Sequence, residues 1–232
     1  MKQTVDSKVY FNVFNISMKK SLFSTFLASV LLITNSAGVF AATTTNYDQN
    51  SFQTIWDGYG YAGWENNGLF LSPKAAIQSS ETHSALVLNT KSLRQPYKIH
   101  ARLTTTAQLR AGSTPNPWEV GWFVIGYKSD GKFTYALLKP EGYGVEIGES
   151  LLNNAQHFMW TSPVGAMNFP VGQSYDVDIT AQNNTLTIVS NGVSLVNYKL
   201  TSNDVINLNG RFGFYSEDAA VQISDIRVTQ GF

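Results

Sequence analysis

The sequence predicts an all-β fold, a sandwich or barrel of antiparallel strands, and three observations point there. Short runs rich in Val, Ile, Tyr, Phe and Thr recur along the chain, each closed by a Gly, Asn, Asp or Pro signal. Several alternate in polarity: Tyr175, Val177 and Ile179 face one way while Asp176, Asp178 and Thr180 face the other. Two-residue turns of the kind that accept positive φ punctuate the runs, at Asn183-Asn184, Asn191-Gly192 and Asp130-Gly131. No internal repeat, low-complexity block or amphipathic helix competes with this pattern.

The opening 41 residues are set apart from the fold. Met18-Lys19-Lys20 begins a basic stretch, 22–33 is apolar but too short to span a bilayer, and Val39-Phe40-Ala41 fits the small-residue rule for cleavage after Ala41. This reads as a secretory signal region starting at Met18, and it predicts a secreted, periplasmic or cell-envelope protein. Residues 42–232 then form one domain, long enough for a substantial core. Of 16 basic and 16 acidic residues, Lys2, Lys8, Lys19, Lys20 and Asp6 fall in the leader, which leaves 12 against 15, a charge of −3. With no Lys/Arg cluster, that balance predicts no nucleic-acid partner and no binding to anionic lipid. Cysteine is absent, which excludes disulfides, thiol chemistry and cysteine-based metal sites.

Along the chain, 42–50 is Thr/Asn-rich and reads as a loose lead-in. Strands are expected at 75–78, 84–88, 97–106, 118–127, 132–139, 143–148, 174–181, 185–190, 193–198, 211–216 and 219–229. In the last of these the apolar parity switches near Ser224, which predicts a β-bulge.

The segment PWEVGWFVIGYKSDGKFTYALLKP, 117–140, gives the finest reading. With Asp130-Gly131 as a two-residue loop, Gly126 falls opposite Tyr135, Val124 opposite Leu137 and Trp122 opposite Lys139. Phe123, Ile125, Ala136 and Leu138 then share an apolar face. With Glu141-Gly142 as the next loop, Leu138 pairs with Val145 and Ala136 with Ile147, on that same core face. Glu146 falls opposite Leu137 and Gly144 opposite Lys139, on the other face. That second face collects Trp122, Tyr135, Lys139 and Glu146, with Trp118 at its rim and Gly126, Gly144 and Gly148 as its floor. Flat rings beside a lysine and a carboxylate suit a sugar, whose C–H groups stack while its hydroxyls find partners. The same four groups also make an ordinary self-satisfied cluster, with Lys139 paired to Glu146. Glu119 falls on the core face and needs a partner, Arg211 being one candidate.

Chemistry beyond binding is sparse. His83, His100 and His157 stand in no metal-ligand spacing, and His157 alone lies near the proposed face. No nucleophile elbow or phosphate loop occurs. Asp176 with Asp178, or Glu217 with Asp218, offers a possible Ca²⁺ site, and no other cofactor is expected. Glycoside hydrolysis needs two carboxyls; Glu146 is the candidate catalytic acid or base, with Asp176 or Asp178 as its second acid and Tyr135 or His157 assisting.

YDVDITAQNNTLTIVSNGVSLVNYKL followed by NGRFGFYSEDAAVQISDIRV resembles the C-terminal half of concanavalin A-like lectin/glucanase modules, closest to secreted laminin-G-like and family-16-like bacterial domains. WEVGWFVIGY and FTYALLKPEGYGVEIG resemble their central strands. The likeness runs from about Asn46 to Thr229. It implies a two-sheet antiparallel jelly roll whose concave sheet often takes carbohydrate, some members being hydrolases or lyases and others only binding or adhering. By it, Trp118, Trp122, Tyr135, Lys139 and Glu146 lie on central strands. The Glu-x-Asp-x-x-Glu catalytic strand of family-16 glucanases has no counterpart here, which argues against their mechanism. The leading expectation is therefore a secreted carbohydrate-binding module. The alternatives are a polysaccharide-degrading enzyme and an envelope adhesion or protein-docking module.

Overall fold

A computed structural model describes residues 41–151 and 155–232; the expected signal region lies outside them apart from Ala41. The chain enters through β1 (Thr43–Asn46), a 3₁₀ turn (Gln49–Ser51) and β2 (Phe52–Trp56), then makes a hairpin of β3 (Tyr61–Glu65) and β4 (Gly68–Ser72). There follow β5 (Ser84–Leu93), β6 (Tyr97–Gln108), β7 (Gly121–Tyr127), β8 (Phe133–Lys139), β9 (Gly144–Ser150) and β10 (Gln156–Thr161). The rest is β11 (Ser174–Gln182), β12 (Thr185–Ser190), β13 (Val193–Lys199), β14 (Gly210–Glu217) and β15 (Ala219–Gln230).

These strands make two sheets with antiparallel pairing throughout. One runs β13–β12–β11–β6–β15–β4–β3, with β1 on the far stretch of β15, and the other runs β10–β9–β8–β7–β14–β5–β2. The sheets meet face to face over a core that includes Leu71, Ile99, Ile179 and Ile223 from the first sheet and Phe123, Ile125, Ile147, Phe212 and Phe214 from the second. The all-β sandwich expected from alternation is the fold observed.

Every strand expected from residue 84 onward is present, but the one expected at 118–127 begins at Gly121, which leaves Trp118 in a turn ahead of the strand rather than on it. Residues 75–78 are not a strand: they belong to the link between sheets, where the Ala76 carbonyl accepts the amides of Ala111 (2.8 Å) and Gly112 (3.4 Å). β1, expected as loose lead-in, pairs Thr43–Asn46 with Arg227–Gln230; its wholly exposed Thr/Asn run carries no apolar alternation to reveal it. The bulge expected near Ser224 is there, a register shift between Ser224 and Arg227 with Asp225 at φ 51°.

The two hairpins of the 117–148 region fare differently. The Glu141-Gly142 turn has both central residues at positive φ, 56° and 81°, and sets Leu138 against Val145, Ala136 against Ile147 and Glu146 against Leu137, as expected. The Asp130-Gly131 turn does not close as a two-residue loop. The Lys128 amide bonds the Lys132 carbonyl (3.0 Å) and Gly131 adopts φ 83°, the three-residue loop with a glycine bulge. A further left-handed residue, Gly126 at φ 66°, marks another irregularity before the ladder begins. Val124 therefore faces Tyr135, and Trp122 faces Leu137 rather than Lys139. The register moves by two residues in all, so every side chain keeps its expected face.

Candidate functional site

The face of the seven-stranded sheet turned away from the core carries a second apolar cluster: Leu86, Leu88, Val120, Trp122, Val124, Phe133, Tyr135 and Leu137. On this base, strand neighbours line up a row of polar and aromatic groups across β14, β7, β8 and β9. Tyr215 pairs in register with Trp122, Trp122 with Leu137, and Leu137 with Glu146. The Trp122 ring lies 4.9 Å from that of Tyr215 and 4.6 Å from that of Tyr135, centroid to centroid. At one end the Tyr135 hydroxyl donates to Glu146 Oε1 (3.1 Å) and Lys139 Nζ donates to Glu146 Oε2 (2.7 Å). At the other end the Tyr215 hydroxyl donates to Glu217 Oε2 (3.3 Å).

A groove of about 930 Å³ lies over this row. Trp122, Lys139, Glu146, Tyr215 and Glu217 are at its floor, while Trp56, Trp118, Tyr143 and Phe158 stand more exposed along it. Phe158 is 62 % exposed, Trp118 44 % and Trp56 41 %, against 3 % for Trp122. Exposed indole and phenyl rings on a groove wall are costly to leave in water and are the groups that a ligand's apolar face would cover.

The structure thus brings Trp118, Trp122, Lys139 and Glu146 to one groove, with Tyr135 sealed beneath it at 0 % exposure. Tyr135 holds Glu146 rather than facing the groove, and burial beside that carboxylate drives its hydroxyl well above the usual phenol range. His157 is no part of the groove: its Nδ1 lies 3.1 Å from buried Glu149, which also accepts the amides of Val205 (3.0 Å) and Ile206 (2.5 Å). The glycines expected as an open floor are already filled. Tyr135 covers Gly148, Ser162 packs on Gly144, and the Asn207 carbonyl closes on Gly126.

Two partner assignments change. Glu119 is buried, and its Oε1 takes Arg110 Nε (2.5 Å) and Asn116 Nδ2 (2.7 Å). Arg211 is elsewhere, capping the Asn89 carbonyl at the opposite end of β14. The second acid expected for Glu146 is also misplaced: Asp176 and Asp178 lie in the other sheet, paired with Arg102 (2.8 Å) and His100 (2.9 Å). Glu217 is instead the other glutamate that lines the groove. Alternation could have put Tyr215 on the groove face, since Phe212 and Phe214 are core; nothing in the sequence says that β14 lies beside β7.

Neither acidic pair assembles a cation site. Asp218 turns onto Arg110 (2.8 Å) while Glu217 turns to the groove, and among the described residues no three His, Asp or Glu side chains are placed to share a metal ion. A smaller cavity of about 580 Å³ near Arg94, Lys128 and Arg211 is cationic, but Lys128 and Arg211 spend donors on the carbonyls of Asn209 and Asn89.

No family model and no curated protein sequence matches the chain. Solved structures do match its fold. One is the carbohydrate-binding module CBM66 from Bacillus subtilis, 13 % identical over 76 % of this chain and 94 % of that one, TM-score 0.57. Another is a prokaryotic β-1,3-1,4-glucanase (lichenase) from a mouse hindgut metagenome, 12 % identical over 83 % and 100 %, TM-score 0.54. A sialidase matches at 11 % identity over 80 % of this chain and 18 % of its own, TM-score 0.51. The fold is the concanavalin A-like jelly roll, as the sequence resemblance implied.

Proposed function

We propose that the groove over the seven-stranded sheet binds carbohydrate and holds it without cutting it. The observation that carries this reading is the ring of exposed aromatics, Trp56, Trp118, Tyr143 and Phe158, above a floor that offers the Lys139–Glu146 pair. Rings cover a sugar's C–H faces, and the ammonium and carboxylate satisfy its hydroxyls. That the fold is shared with a carbohydrate-binding module supports the same reading.

Binding is favoured over cleavage by how the acids are held. Both oxygens of Glu146 are engaged, one by the Tyr135 hydroxyl and one by Lys139. Glu217 stands three strands away, about 14 Å across the sheet at ordinary strand spacing, and two residues further along β14 than Tyr215, the residue in line with Glu146. Hydrolysis places its two carboxyls about 5–5.5 Å or 6.5–9.5 Å apart. The alternative, glycosidic cleavage by Glu146 and Glu217, has one observation behind it: both carboxyls line the same groove, Glu146 held by Lys139 and Glu217 pushed up to about 7 by burial.

A glycan array, followed by reducing-sugar and unsaturated-product assays on each hit, separates the readings. Binding with no product at any pH is the expected result; product release establishes the enzyme, and an array blank at every pH overturns the carbohydrate reading. Trp118→Ala and Trp56→Ala should each weaken the best hit about tenfold, the worth of one aromatic contact. Their unfolding midpoints should stay near that of the parent, because both rings are about half exposed.

A further inference from the structure

Where β14 ends, three carboxyls crowd one guanidinium. Arg110 is fully committed: Nε to Glu119 (2.5 Å), Nη2 to Asp218 (2.8 Å), and Nη1 to the carbonyls of Gln78 (3.2 Å) and Ser79 (3.4 Å). Glu119 and Asp218 are wholly buried and take the cation. Glu217, the third carboxyl, is neither hydrogen-bonded nor ion-paired to it and has the Tyr215 hydroxyl as its partner. It is also the one of the three that lines the groove, in register with Ser84, whose hydroxyl accepts the Trp56 indole N–H (3.2 Å).

We propose that this corner, built from Trp56, Ser84, Trp118 and Glu217, is a sugar subsite in which Glu217 acts as an uncharged carboxylic acid and donates a hydrogen bond to a ligand oxygen, so that the groove takes neutral glycans and loses them as Glu217 ionises. The inference rests on the carbohydrate reading of the groove. Ionised, Glu217 would face Glu119 and Asp218 with a single guanidinium already shared between those two. The charged and titratable groups packed against it are Tyr215 on its own strand, Asp218 at the corner, and Arg110 and Glu119 from the β6–β7 link; His83 from the β4–β5 link reaches Asp218. Burial is the largest influence and lifts the Glu217 carboxyl to about 7, the two acids adding to it and Tyr215 and Arg110 opposing it. The remaining lining is already neutral in sum, since Lys139 cancels Glu146 and Lys132 lies 3.0 Å from Asp130. A neutral acid here therefore gives the groove no net charge, and a carboxylate gives it one negative charge and removes a donor.

Two measurements test this, one of which needs no ligand. Carboxyl ¹³C NMR of the ligand-free protein, from pH 4 to 9, should show one resonance titrating near 7 that is missing from Glu217→Gln. A Glu217 carboxylate already ionised at pH 5.5 overturns the proposal, whatever the groove binds. Calorimetry with the strongest neutral oligosaccharide from the array should then show Kd rising about thirtyfold between pH 5.5 and 8.5, as the binding-competent fraction falls. Glu217→Gln, whose amide still donates, should bind with a flat profile. A flat profile in the parent, or an unchanged slope in Glu217→Gln, overturns the subsite while leaving the groove's carbohydrate reading intact. Titration near 7 with no neutral glycan bound at any pH overturns both.

Discussion

Trp122 and Trp118 show how four positions at one strand entry separate a packed ring from an exposed one. Trp122 is buried among Tyr135, Tyr215 and the apolar floor, and its indole N–H donates to the Trp118 carbonyl (2.8 Å), while the Trp118 ring itself stays half exposed. Trp122→Ala should accordingly cost about 3–5 kcal/mol of stability, measured by urea unfolding, the usual range for emptying a large aromatic site. A loss below 1 kcal/mol would mean that the ring is not part of the floor. Parity in the sequence placed Trp122, Tyr135, Lys139 and Glu146 on one face, which the structure shares. It could not say that Tyr135 lies under the other three, because depth on a face depends on neighbours from other strands. Glu119 and Glu217 are harder still: the first finds Arg110 in an irregular link, and the second reads in the sequence only as half of a Glu217/Asp218 cation pair, with nothing to place it on the groove.

The β7–β8 and β8–β9 hairpins show why turn chemistry is legible and bulges are less so. At Glu141-Gly142 both residues take positive φ and the ladder follows by simple counting. At 128–132 a glycine bulge and the left-handed Gly126 each displace the count, and the two displacements together preserve the faces. No alternation of side chains records an even shift, so the faces could be read correctly from a register that was not. Replacing these glycines should separate conformational strain from steric conflict. A Cβ on Gly142 meets only Gly165 at 3.5 Å, ordinary contact, so Gly142→Ala should cost about 1 kcal/mol for its positive φ alone. On Gly126 the Cβ would sit 2.5 Å from the Asn207 carbonyl oxygen, backbone that cannot swing aside, and Gly126→Ala should cost about 2 kcal/mol or more. Denaturant midpoints of the two variants in that order support the bulge; equal midpoints would remove it as a steric constraint on the hairpin.

At the scale of the molecule, Arg110 ties together three passages between the sheets. It sits in the β6–β7 link with Glu119, reaches Asp218 at the single-residue corner from β14 to β15, and holds the Gln78 and Ser79 carbonyls in the β4–β5 link. Asp218 extends the tie by accepting the His83 amide (2.8 Å). Glu217 borders this knot, so a proton held there bears on the stability of the whole fold. Burial pushes its carboxyl from an ordinary 4.5 up to about 7 in the folded chain. The folded chain therefore holds more protons than the unfolded chain between those limits, and stability must fall as pH rises through that window. The part contributed by protonated Glu217 is complete below about 4.5 and gone above about 7; Asp218, also raised by burial, acts in the same direction. The lowered carboxyls, Asp130 and Asp176 among them, act at more acid pH and with the opposite sign. Urea unfolding of the parent should lose about 2 kcal/mol between pH 4.5 and 8, a figure discounted for the partial exposure of Glu217. Glu217→Gln should remove most of that slope and be the more stable protein at pH 8. A parent whose stability rises steadily from pH 5 to 8, or a variant that keeps the parent's slope, would show that the proton does not reside at this corner.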